Sequence, residues 1–132
     1  VTPSEYIKLV LKTESTKDPV KSEYGVNSRI LHACMGTVTE SAELIDACKK
    51  SMFYGKTLDK VNLAEEAGDI LWYIAVLCDE LNITFEELFE VNINKLKKRY
   101  GDKFSDEKAE NRDIDSERKI LEDGHSSLIK GS

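Results

Sequence analysis

Two pairs of carboxylates in this chain stand three residues apart: Glu40 with Glu43 in TESAELI, and Glu66 with Asp69 in EEAGDIL. On a helix that spacing makes the side chains neighbours on one face, about 5–6 Å apart. Each pair lies beside or within an apolar stripe, so two such helices packed antiparallel would converge all four acids. Converging, partly desolvated anions are tolerated only if some are protonated or cations sit among them. Oxygen ligands without His or Cys suit Mg²⁺ or Mn²⁺, and Mg²⁺ sites combine a few carboxylates with waters and substrate phosphates. The residues therefore point to a metal-and-phosphate site. One ExxE or ExxD alone is common on a solvated helix face, and it is the joint occurrence on two successive long helices that carries the reading. A di-iron bundle would need Glu-x-x-His on two helices. The only such spacing here is Glu122 to His125, in a polar tail, which rejects it.

Cations gather in NKLKKRYG, residues 94–101. Lys95 and Arg99 are four apart on a stripe flanking Ile93 and Leu96, where they could reach a phosphate chain, and arginine suits that task through its fork of donors. Lys97 and Lys98 serve more simply to balance the C-terminal end of the helix dipole.

The elements that must position these groups are helical. Thr2-Pro3-Ser4-Glu5 combines an N-cap, a proline at the first helical position and a capping-box acid, predicting a helix to about Thr13 with Tyr6, Ile7, Val10 and Leu11 inward. A polar loop follows, in which Pro19 holds its predecessor extended. From about Asn27 the helical period runs through Ile30, Ala33, Cys34, Thr37, Val38, Ser41, Leu44, Ile45, Cys48 and Met52 until Gly55 caps it. A third helix spans about Asp59 to Glu80. Its stripe contains Leu63, Ala67, Ile70, Leu71, Ile74, Leu77, Cys78 and Leu81. Thr84 and Glu87 form a second capping box, opening a helix through Tyr100. Gly68 costs its helix roughly 0.5–1 kcal/mol relative to Ala, which predicts a close helix–helix contact at that position.

These elements predict an all-α four-helix bundle over residues 1–104, followed by a polar C-terminal arm over 105–132 with at most a short helix around Asp115 to Leu121. The helix over 30–52 is apolar on more than one side, since Val38, Ile45 and Met52 form a second face. That surplus predicts a homodimer or a dimer of dimers. With 40% hydrophobic and 33% charged residues the composition is that of a globular protein. The net charge of −6 argues against a surface that coats nucleic acid. No apolar run approaches the roughly 18 residues of a membrane span and no secretory pattern opens the chain, so a cytoplasmic protein is expected. Cys34, Cys48 and Cys78 are expected as small core residues in a reducing compartment.

The motifs together resemble the MazG-type nucleotide pyrophosphohydrolases, the all-α NTP pyrophosphatase group. Glu40-Ser-Ala-Glu43, twenty-two intervening residues and Glu66-Ala-Gly-Asp69 match its ExxE and ExxD signature. His32 and Gly36, FYGK at 53–56, EEAGDILWY and NKLKKRY match its surroundings, and the likeness covers roughly residues 5–105, with a tail like that of short phage-type members. The resemblance implies Mg²⁺-dependent cleavage of a nucleoside triphosphate between the α and β phosphates, giving a monophosphate and pyrophosphate. It implies that Glu40, Glu43, Glu66 and Asp69 hold metal, that Glu40 or Glu43 takes a proton from the attacking water, and that Lys95 and Arg99 hold phosphates with Asn94 and Tyr100 nearby. His32, Trp72 and Tyr73 are the candidates for the base or sugar pocket, Tyr73 because it lies four residues beyond Asp69. For His32 and Trp72, ordinary surface or packing roles compete. Two other readings stand beside this one: a phosphoribosyl-ATP pyrophosphohydrolase, and a non-catalytic nucleotide-binding or dimerisation module.

Overall fold

The first helix, α1 (Pro3–Leu11), begins as the capping box requires: Thr2 Oγ1 accepts from the Glu5 amide at 3.2 Å, and the Thr2 amide donates to Glu5 Oε2 at 2.7 Å. Ile7 and Val10 are buried, and the helix packs on α3 (Lys60–Glu80). It ends two residues before the expected Thr13. The computed structural model describes residues 1–15 and 24–130, so the expectation for Pro19 lies outside the described residues.

Helix α2 (Ser28–Tyr54) starts at Asn27, whose Oδ1 accepts from the Ile30 amide at 2.8 Å. It stops at Gly55, where a φ of 66° reverses the chain in a conformation that a side chain would disfavour. Asp59 then caps α3 by accepting from the Asn62 amide at 3.0 Å. The two long helices run antiparallel, as three meetings show: Arg29 with Asp79 and Glu80, Gly36 with Tyr73, and Glu40 with Asp69. Near one end Arg29 acts as a clamp. It donates to both carboxylate oxygens of Glu14 at 2.8 Å, and its Nη1 reaches Asp79 at 2.6 Å and Glu80 at 3.0 Å. These carboxylates hold the guanidinium firmly protonated, with Glu14 the largest influence.

The chain divides into two compact units, Val1–Asn82 and Ile83–Ser132. In the second, Thr84 caps α4 (Phe85–Tyr100), followed by α5 (Asp106–Glu110), α6 (Ile114–Gly124) and α7 (Ser126–Lys130). The polar tail thus carries three helices where composition suggested at most one. It is anchored because α6 packs on α4, and Glu117 is buried there between Arg99 (2.6 Å) and Arg112 (2.8 Å). Ion pairing, which apolar periodicity does not register, accounts for the difference.

The described residues are all-α, without a strand. None of the helices they form is long and apolar enough to cross a membrane. Only part of the expected α2 stripe faces α3. Ala33 and Gly36 are buried, whereas Val38, Ile45 and Met52 are 69%, 66% and 81% exposed. The cysteine expectation holds for Cys78 alone: Cys34 and Cys48 are exposed, because they lie on a side of α2 turned away from its buried residues.

Gly68 also departs from expectation. A Cβ built there meets nothing within 4 Å, and the only neighbouring contact described is a long 3.4 Å hydrogen bond from Tyr6 Oη to its carbonyl. The close approach occurs at Gly36 instead, where a Cβ would run into the Tyr73 ring.

Candidate metal and phosphate site

Antiparallel packing of α2 and α3 lays the two acidic motifs side by side. One carboxylate oxygen from each of Glu40, Glu66 and Asp69 lies within 4.8 Å of the others. Glu66 is only 8% exposed, Glu40 is half-buried and Asp69 faces solvent. The neighbouring Glu65 is exposed, as expected for a residue about 100° around the helix from Glu66. Glu43, one turn beyond Glu40, is exposed and stands outside this close trio, lining an adjoining cavity with Asp46, Lys50 and Asn62.

Burial raises the Glu40 carboxyl above the usual carboxylate range, reinforced by its hydrogen bond with Glu66 and by the charges of Asp69, Glu66 and Glu43. No salt bridge among the described residues reaches Glu40, Glu66 or Asp69. Three crowded anions without a basic partner, offering hard oxygen donors only, fit a small divalent cation.

A cavity of about 280 Å³ joins this trio to the aromatic candidates, with Glu40, Asp69, Trp72 and Tyr73 lining it. Tyr73 makes two T-shaped ring contacts, with His32 at 5.5 Å and with Trp72 at 5.0 Å. The absent side chain of Gly36 is what lets the Tyr73 ring lie against α2. Trp72 is fixed in turn by its indole Nε1 donating to Thr13 Oγ1 at 2.8 Å.

The cationic candidates lie in the second unit. Asn94, Lys95, Arg99 and Tyr100 occupy the last two turns of α4, with Asn94 exposed and Lys95 half-buried. Arg99 spends Nε on Glu117 at 2.6 Å, and its guanidinium carbon stands 5.5 Å from the centre of the Tyr100 ring.

Two residues at the site were not foreseen. Asn62 Nδ2 donates to Glu66 Oε1 at 3.1 Å, and its position four residues before Glu66 was the available signal. Tyr6 was read as an inward residue and no more. Its hydroxyl is pushed above the ordinary tyrosine range by burial and by the charge of Asp69, which places α1 beside the acidic trio.

A family model, the MazG nucleotide pyrophosphohydrolase domain, matches residues 31–104. The chain belongs to the MazG family. The match takes in both carboxylate pairs, the aromatic group and the whole of α4, while α5, α6 and α7 lie beyond it. A relative within reach of this MazG chain is the gene 37 protein of Mycobacterium phage L5, 31% identical over 75 residues, a stretch covering 52% of the chain and 63% of the phage protein. The chain thus spans less than two thirds of that relative's length. No solved structure matches.

Proposed function

We propose that this MazG protein is a Mg²⁺-dependent nucleoside triphosphate pyrophosphohydrolase acting in nucleotide pool control. The observation that carries the proposal is the convergence of Glu40, Glu66 and Asp69 beside the Trp72–Tyr73 cavity. In the reaction water forms a bond to the α-phosphorus, the bridging bond to the β-phosphate breaks, and a nucleoside monophosphate and pyrophosphate separate. Glu40, Glu66 and Asp69, with Glu43 at their edge, are the residues that would hold Mg²⁺, with Mn²⁺ as a substitute. When bound, the ion supplies charge neutralisation at the phosphoryl oxygens and acidifies water.

The side chains have separable tasks. Glu40, with its raised proton affinity, or Glu43 accepts the proton of the attacking water. Asn62 fixes the Glu66 carboxylate by donating to one of its oxygens, leaving the other for the ion. Tyr73, steadied by His32 and Trp72, offers a ring face to a base or sugar. Lys95 and Arg99, with Asn94 and Tyr100, are the phosphate-holding residues that the family resemblance supplies. The exposed Val38, Ile45 and Met52 face supports a second copy of the chain as partner.

The deciding experiment is a pyrophosphate-release screen over canonical and modified dNTPs, NTPs and phosphoribosyl-ATP, with and without Mg²⁺. Mg²⁺-dependent release is expected from at least one nucleotide. Asp69→Asn should reduce it by more than the roughly 10–100-fold typical of changes outside the ligand shell. A folded Asp69→Asn protein with full activity would remove the assignment.

A further inference from the structure

The groove between α2 and α3 has different ends. At one side of the acidic trio lies the aromatic cavity of Trp72 and Tyr73, lined among the described residues by no lysine or arginine. At the other lies a cavity of about 310 Å³, whose lining includes Glu43, Asp46, Lys50, Lys56, Thr57 and Asn62. Glu43 and Asn62 connect it to the trio: Glu43 is one turn from Glu40, and Asn62 donates to Glu66. The order along the groove is therefore aromatic rings, carboxylates, lysines.

A nucleoside triphosphate cut at its α-phosphorus has a matching order, with base and sugar on one side of the reacting atom and the leaving pyrophosphate on the other. We infer that the substrate lies with its base at the Trp72–Tyr73 end and its leaving pyrophosphate in the cavity at the start of α3, where Lys56 is a further phosphate-holding side chain and Lys50 its neighbour. The inference rests on the pyrophosphohydrolase reading and adds a direction and a subsite to it.

Of the three carboxylates that line this cavity, Glu43 is among the proposed metal-holding residues and the other two are already engaged. Asp46 is already neutralised, by Lys50 at 2.8 Å and Lys49 at 3.6 Å. Asp59, which also lines the cavity, has committed an oxygen to the N-cap of α3. Lys56 makes no ion pair among the described residues, and its ammonium remains to meet an incoming anion. The positive end of the α3 dipole lies at the same cavity. In the reverse orientation the pyrophosphate would lie among Glu40, Asp69 and two aromatic rings, without a lining cation among the described residues.

Product binding tests the orientation. In Mg²⁺, pyrophosphate and the nucleoside monophosphate of the best substrate are each titrated calorimetrically into the wild type, Lys56→Met and Lys56→Arg. Loss of one charge-assisted contact should weaken pyrophosphate binding about tenfold in Lys56→Met, with partial rescue in Lys56→Arg and unchanged monophosphate binding. The KM for the triphosphate should rise in parallel. Unchanged pyrophosphate binding, or equal weakening of both products, would overturn the inference. A wild type that releases no pyrophosphate from any nucleotide would sink the enzymatic reading instead, while the pyrophosphate titration would still decide whether Lys56 holds that anion.

Discussion

Gly36 and Gly68 lie on facing helices, yet only one has a steric reason to be glycine. At Gly36 a methyl group would enter the Tyr73 ring, so Gly36→Ala must displace either the ring or the helix. Overpacking of this kind costs about 1–3 kcal/mol, and urea denaturation should show that loss together with a weakened nucleotide KM. At Gly68 the space is open, so Gly68→Ala should raise stability by roughly 0.4–1 kcal/mol by restricting the unfolded chain. A destabilised Gly68→Ala protein would mean that another surface packs there. Sequence placed the wrong glycine at the contact because helical cost is the same for both positions, whereas the neighbour, an aromatic ring on another helix and distant in sequence, is set by pairing of α2 with α3. The acids were more legible. Their i, i+3 spacing fixes their mutual geometry within a helix, and only the outlying position of Glu43 needed coordinates.

At the scale of elements, Gly55 and Thr84 cap helices where sequence placed them, Thr84 by accepting from the Glu87 amide, and the helices expected to begin near Asn27 and Asp59 are capped by those residues. Ion pairs between elements were not legible, because a charged residue on a helix gives no sign of its partner. Arg29 is the clearest case. Replacing it with methionine leaves Glu14, Asp79 and Glu80 facing one another without their shared cation, and should cost about 1.5–3 kcal/mol from the lost charge-assisted bonds, measurable in the same denaturation series. Glu117 gives a pH-dependent counterpart. The hydrogen bond from Arg99, followed by the pairing with Arg112, holds its carboxyl below the ordinary 4.5 despite burial. A depressed carboxylate contributes stability that is present in full above its unfolded value and lost as pH falls through the folded one. Amide exchange in α6 should therefore accelerate relative to α4 below about pH 4.5, and Glu117→Gln should remove most of that pH dependence.

For the whole molecule, the outward face of α2 matters most. Leu31, Met35, Val38, Ile45 and Met52 recur at steps of four, three, seven and seven, the 3.5-residue period by which one helix seats against another. Replacing both Val38 and Ile45 with aspartate should leave far-ultraviolet circular dichroism unchanged and shift sedimentation toward a single chain. An unaltered sedimentation coefficient would assign the face another role. If this face is where two chains meet, each folded copy is a ligand for the next, and mass action links folding to association. Dilution alone should then lower the melting temperature, and a fixed concentration must accompany any comparison between variants. A catalytic defect seen in dilute assays could arise from dissociation, although every carboxylate remained in place.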